Sequence, residues 1–419
     1  MTQKASGIQS SAAVAPKILL TDTCRWSVGA RLAIAFSKAG CEVFALCSTY
    51  HHPLQYARGV KHVFRYSSLR PLESLEDAIN RCRPDIVIPC DERGVRHLHE
   101  LFVNARKEAS KASIADLIER SLGSPESYPI VSSRYDLLRI ASEEGICVPD
   151  TRAIREVADL QPWRTKQALP WVLKSDCTFG GSGVEIAQTP EQAEQGFLRM
   201  AGPHTALRVL KRLIINRDSF WIRPWWQRQK PGIIAQAHIQ GHPANCAVVC
   251  WQGQVLAGIG VDVISSTGVT GPATVVRIVD SPEMMTAAER IARRLSLSGF
   301  FGLDFMISDE DGRAYLIEMN PRCTTVCHLQ LGKGRDMVGA LCAQLSGQPM
   351  TEACSVTEQE TIAYFPQAWT SNDNLLHSSF QDIPSDEPEL VRELLHPWPN
   401  RTLLYRLTHA LTNLRVAKP

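Results

Sequence analysis

The sequence predicts an α/β protein in which a doubly wound domain is followed by mixed α+β lobes. Short apolar strands alternate with helices between Lys17 and Pro89, the pattern of a parallel sheet with helical crossovers. A glycine-rich run separates two strands between Trp171 and Gln188. Two further strands, joined by the turn Asp309 to Gly312, set acidic residues side by side.

Residues 1–15 are polar and small and read as a disordered leader. Ile18, Leu19 and Leu20 form a buried strand, 29–39 a helix stopped by Gly40, and 42–47 the next strand. A helix over 73–83 leads through Pro84 into a strand over 85–89. Asp91 and Glu92 follow that strand's C-terminal end, where such sheets bind ligands. The preferred reading is that they cap the next helix. Residues 104–130 are helical and then loop-like, and the first domain ends there.

A helix over 131–145 carries Leu137, Leu138 and Ile140 and stops at Gly145. Strands over 171–175 and 184–188 follow, and Thr189 caps a helix with Pro190 at its first position. Between 203 and 231, Arg208, Lys211, Arg212, Arg217, Arg223, Arg228 and Lys230 interleave with Phe220, Trp221, Trp225 and Trp226. Such a segment binds single-stranded nucleic acid or a membrane surface, or packs its Trp rings beneath a solvated basic face. The packing reading is preferred, because the net charge of the chain is only +2. Residues 232–279 are strand-rich, 283–298 helical, and a helix after Arg335 runs to Leu345. A strand over 361–365 and an amphipathic ending over 403–414 complete the chain.

Hydrophobic content of 44% supports a full core, and 21% charged residues is ordinary. The thirteen cysteines are odd in number and irregularly spaced. With no secretory signal at the start, they point to a reducing cytoplasm. No run of about 18 apolar residues predicts a membrane span.

Thr178, Phe179, Gly180, Gly181, Ser182 and Gly183 form the glycine-rich run. Glycines let a backbone approach phosphates, and successive N–H groups cradle them. The Lys and Ser/Thr of a P-loop are missing, and a strand rather than a helix follows, so neither a P-loop nor a dinucleotide fingerprint is present. Lys174 ends the apolar run before it and is aimed at a phosphate. Asp304, Glu318 and Asn320 gather oxygen ligands suited to Mg²⁺ on one sheet face, with Arg322 beyond them to clamp a phosphate or acyl phosphate.

This ordered set resembles the ATP-grasp superfamily, and most of all the ATP-grasp half of carbamoyl-phosphate synthetase large subunits. Residues 171–186 and 302–322 carry the likeness, which extends over about 16–350. It implies a pre-grasp domain (16–125), a small grasp lobe (126–235), a large lobe with the Mg-ATP site (236–350) and a C-terminal extension (351–419). Arg134 and Lys174 are then phosphate-binding, and Thr178 to Gly183 cover ATP. Gln236, Ala237, His238, Ile239 and Gln240 form the hinge beside adenine. Asp304, Glu318 and Asn320 bind Mg²⁺ or Mn²⁺, and Arg322 stabilises the transferred phosphoryl group. The Glu that holds ribose in many members is replaced, with Gln240 or Asn245 in its stead.

Arg277 reads as a cleft-lining holder of a substrate carboxylate, with a surface Arg as the alternative. Thr267, Gly268, Thr270 and Gly271 shape an acceptor loop. Cys323, Cys327 and His328 read as pocket lining rather than a zinc site, and Cys177 as a packed residue. The implied activity is ATP-dependent carboxylate–amine ligation through an acyl phosphate, on small-molecule substrates, with no nucleic acid and no membrane span. The rivals are carboxyphosphate or phosphoryl transfer and a non-catalytic nucleotide-binding protein. The extension either covers the large lobe or makes a homodimer contact.

Overall fold

The computed structural model describes residues 15–48, 51–176, 183–202, 231–268, 271–350 and 354–396. Residues 1–14 of the leader, the Trp-rich basic segment over 203–230 and the ending over 403–414 lie outside them. So do Cys177, Thr178, Phe179, Gly180, Gly181, Ser182 and Thr270.

Strands β1 (Lys17–Asp22), β2 (Glu42–Cys47), β3 (Val60–Arg65) and β4 (Ile86–Pro89) form a parallel sheet in the order β3-β2-β1-β4. Helix α1 (Ser27–Lys38) buries Val28, Leu32, Ala33 and Phe36, a helical stripe laid against the sheet. Helices α2 (Pro71–Cys82), α3 (Glu92–Ala105) and α4 (Ala112–Leu122) complete the layers. The sequence reading passed over β3 because, as an edge strand, it is only partly buried and lacks the apolar run of its neighbours.

Helix α5 (Arg134–Glu143) opens on the cap Ser133, whose hydroxyl accepts from Asp136 N–H at 3.2 Å. A second sheet joins β5 (Thr151–Ala153), β6 (Trp171–Ser175), β7 (Val184–Ala187) and β8 (Ile233–Ala237) in the antiparallel order β5-β8-β6-β7. Helix α6 (Pro190–Ala201) covers it with Ala193 and Phe197.

The third sheet has seven strands: β9 (Gly241–Trp251), β10 (Gln254–Ser266), β11 (Ala273–Val279), β12 (Gly299–Ser308), β13 (Ala314–Asn320), β14 (Thr361–Tyr364) and β15 (Phe380–Asp382). Their order is β13-β12-β9-β10-β11-β14-β15. Helices α7 (Pro282–Leu295) and α8 (Met337–Ser346) pack on it. Gly241 sits where the chain passes from the second sheet to the third, and a Cβ there would lie 1.9 Å from the Ile307 carbonyl oxygen. Only glycine permits that approach.

The extension is part of this third sheet. Ile362 on β14 pairs with Val276 on β11, and β15 adds in parallel. Asp382 then binds both Arg31 of α1 and His328, the latter at 2.9 Å, tying the extension to the first domain. Helix α9 (Pro388–Leu395) follows. Among the described residues the cysteines are free thiols, and no helix is long and apolar enough to cross a membrane.

Candidate active site

The three sheets enclose a cleft of about 1350 Å³. At one end lie the predicted phosphate and metal residues. β12 and β13 pair so that Asp304 opposes Glu318 and Gly302 opposes Asn320. Asp304 Oδ2 accepts from Asn320 Nδ2 at 2.9 Å, and its Oδ1 from Asn245 Nδ2 at 2.5 Å. Burial raises the Asp304 carboxyl above the usual range, and the neighbouring Glu318 charge raises it further.

Lys174 on β6 is 4% exposed, and its ammonium donates across the cleft to the Ile317 carbonyl at 3.0 Å. Burial pulls its pKa down to about 8, against the opposing pull of Glu318. Arg134, in the first turn of α5, reaches Glu318 Oε1 at 2.6 Å and the Ser175 carbonyl at 2.5 Å. Arg322 donates from Nε to Glu92 Oε1 at 2.8 Å, from Nη1 to the Cys323 carbonyl at 3.0 Å, and from Nη2 to Asn320 Oδ1 at 3.1 Å. Its guanidinium also lies 4.5 Å from the centre of the Trp26 ring.

The donor set fits a divalent cation. Two carboxylates face each other with an amide oxygen at hand, and the buried Asp304 carries a charge that its surroundings do not fully compensate. Hard oxygen ligands of this kind suit Mg²⁺ or Mn²⁺. Among the described residues no group of three or more His, Cys, Asp or Glu could hold a metal.

The hinge segment also lines the cleft. Gln236 sits in its sheet between Thr151 and Val172, with its side chain donating to Thr151 Oγ1 at 3.3 Å. Ala237 N–H goes to the Asp150 carbonyl at 2.8 Å. His238, Ile239 and Gln240 lie outside both ladders and line the same cleft as Val172, Ile186, Met306 and Ile317. Gly183 closes the base of the glycine-rich run, its carbonyl accepting from Ser175 N–H at 2.9 Å.

Three expectations are corrected. Arg277 is exposed and does not line the cleft, the surface alternative of the sequence reading. Its neighbour Val276 does, because side chains alternate along β11. Asn245, the ribose candidate, lies beside Asp304, since β9 pairs with β12 in the register Asn245 opposite Asp304. Cys323, Cys327 and His328 do not line the cleft. The two thiols are fully buried and His328 is held by Asp382, while Thr324, Thr325 and Val326 line it instead. Asp91 caps α3 as read, accepting from Gly94 N–H at 2.9 Å, but Glu92 turns into the cleft to hold Arg322.

Trp26 was not read as a site residue. Like Glu92, it follows the C-terminal end of a parallel strand, at the switch point between β1 and β4, which is the signal that could have found it. Nor were Tyr364, Pro366, Gln367, Glu393 and Leu394, which the extension brings to the cleft.

Residues 131–326 match the family model of the ATP-grasp domain. The carbamoyl phosphate synthase large chain of Rubrobacter xylanophilus is 24% identical over 255 residues, 60% of this chain. The chain spans only 22% of that relative's length. A carboxyaminoimidazole ribonucleotide synthase of Aspergillus clavatus, solved with ATP, superposes with a TM-score of 0.59 at 13% identity, over 82% of this chain and 80% of that one. Biotin carboxylase of Campylobacter jejuni gives 0.57 at 14%, over 82% and 73%. L-amino acid ligase of Bacillus licheniformis gives 0.54 at 14%, over 81% and 76%. At these identities the likeness to the solved structures is one of fold.

Proposed function

We propose that the chain is an ATP-dependent carboxylate–amine ligase working through an acyl phosphate. The observation that carries this reading is the Asp304–Glu318 pair flanked by Lys174, Arg134 and Arg322 at one end of a cleft large enough for a second substrate.

The apolar side chains of Val172, Ile186, Met306 and Ile317 would sandwich adenine, with the backbone of 238–240 at its edge. Mg²⁺ or Mn²⁺, held by Asp304, Glu318 and Asn320, would neutralise charge on the β- and γ-phosphates. Lys174 and Arg134 bind phosphate oxygens, and Arg322 stabilises the charge on the group in transfer. A carboxylate oxygen attacks the γ-phosphorus as the bond to the β–γ bridging oxygen breaks, releasing ADP. The amine nitrogen then attacks the acyl carbon and loses a proton as phosphate leaves. No protein nucleophile is needed. Small-molecule substrates and free thiols accord with a cytoplasmic setting.

ADP release with carboxylate–amine mixtures, amide detection by mass spectrometry, and Glu318→Ala as control test this reading. Release that needs both substrates and is lost in the variant is the expected result. Mg-ATP binding without turnover for any pair would favour the nucleotide-binding protein. The second reading is carboxyphosphate chemistry on bicarbonate, since one structure of similar fold, a biotin carboxylase domain of Hydrogenobacter thermophilus 2-oxoglutarate carboxylase, was solved with MgADP and bicarbonate. ADP release driven by bicarbonate alone would select it.

A further inference from the structure

The cleft is larger than one ligand requires: about 1350 Å³, against roughly 300–1,000 Å³ for a typical small-molecule site. Its chemistry is also divided along the seven-stranded sheet. Toward β12 and β13 it is charged, with Asp304 and Glu318 opposed. Toward β10, β11 and β14 it is apolar. Val263 opposes Val276, and Val276 opposes Ile362. Val263 and Val276 line the cleft, joined by Pro366 and Leu394 from the extension and by Trp26 and Pro53 from the first domain.

Resting on the ligase reading, we infer that the carboxylate substrate carries an apolar body, aromatic or branched aliphatic, and that residues 361–394 form part of the wall that selects it. Arg322, two residues past the end of β13, lines the cleft beside Asn320 and Glu92. Three of its N–H groups are engaged, by Glu92, Cys323 and Asn320. A guanidinium carries about five, which leaves donors without a partner among the described residues to hold a carboxylate. The Trp26 ring, 4.5 Å from that guanidinium, places an apolar face next to the carboxylate position. An apolar body extending from there meets the Val263–Val276 pair and the extension. A second carboxylate on the substrate would lose its hydration against this apolar wall, so the wall disfavours dicarboxylates.

The test is calorimetric titration of the full chain with 3-phenylpropionate, 4-methylpentanoate, acetate and succinate. Each is run with and without Mg²⁺ and a non-hydrolysable ATP analogue. The two apolar acids bind at least about tenfold more tightly than acetate, since even one methylene in an apolar pocket is worth roughly tenfold or more. Succinate does not bind measurably. Val263→Phe, which fills the wall, weakens 3-phenylpropionate about tenfold or more and leaves the affinity for the ATP analogue unchanged. Gln367→Phe, at a half-buried position on the same wall, gives the same result if the first variant does not fold.

Equal binding of acetate or succinate, no acid binding in either condition, or unchanged affinity in the filled variant overturns the inference. Selective acid binding with no binding of the ATP analogue would instead overturn the ligase reading and leave the apolar wall standing.

Discussion

Arg134 Nη2 lies 2.6 Å from Glu318 Oε1, so a phosphate-binding candidate and a metal-binding candidate neutralise each other across the cleft. In the proposed roles, nucleotide and metal would compete with this pair for its two halves. A cation at Glu318 would free Arg134 for phosphate, and phosphate at Arg134 would free Glu318 for the cation.

Positive coupling between ATP and Mg²⁺ follows from that pair. ATP affinity, followed by calorimetry as Mg²⁺ rises, should tighten by roughly 5–150-fold. Glu318→Ala should abolish both the tightening and the thermal stabilisation by Mg-ATP. A tightening that survives in Glu318→Ala would remove Glu318 from the metal site.

Lys174 predicts a pH dependence. Its pKa, held near 8 by burial, lies below that of the unfolded chain. The folded state therefore gives up its proton first, and the stability lost to burying this charge at neutral pH is regained as pH rises above 8. Phosphate binding needs the charged form, so affinity for ATP should weaken as pH rises through about 8. Lys174→Arg should bind ATP with no such dependence over pH 7 to 9, Arg staying charged up to roughly pH 12. Titration of both proteins across that range decides it.

Asp304 predicts a variant that is stable and inactive. Its carboxyl is raised by burial and by Glu318, so between the unfolded and folded values stability falls as pH rises. Asp304→Asn removes the buried charge. At neutral pH its melting temperature should equal or exceed that of the wild type, while stabilisation by Mg-ATP is lost. A much lower melting temperature would show that the carboxylate serves the fold.

Glu92 positions Arg322 through a 2.8 Å ion pair. Glu92→Ala should lower kcat for ADP release on the order of 100-fold, the effect of an ångström-scale displacement of a catalytic group, with little change in KM for ATP. Arg322→Lys should not restore the wild-type rate, because an ammonium cannot reproduce the planar fork. Steady-state kinetics separate the two terms.

Asp382 is 4% exposed and shared by Arg31 and His328. Asp382→Ala leaves the largely buried Arg31 without its carboxylate and should destabilise the chain by about 3–5 kcal/mol. Denaturant unfolding measures the loss, and a change below about 1 kcal/mol, typical of an exposed pair, would contradict the buried tie.

The parts of the site legible in the sequence are local ones. Asp304 and Glu318 belong to one hairpin, so strand periodicity and its turn were enough to pair them. Lys174 could be read from the apolar run that it ends and the glycines that follow. The place of Asn245 beside Asp304 was not legible, because it depends on β9 lying next to β12, a pairing between residues 59 positions apart. Arg277 lay on a correctly read strand but on the wrong face. Which face is inward depends on pairing with β10, where the register shifts after Val263. Glu92 and Arg322 meet across 230 residues, beyond any local pattern.

By itself the sequence determined the α/β class, the alternation of strands and helices in the first domain, and the chemical inventory of the phosphate and metal end. These rest on side-chain period and on residue type, which act over a few positions. The tertiary structure alone decided that the extension completes the third sheet, that Trp26 and Glu92 join Arg322, and that one end of the cleft is apolar. Those outcomes depend on sheet order and register, which are selected by burying the whole molecule's apolar surface at once.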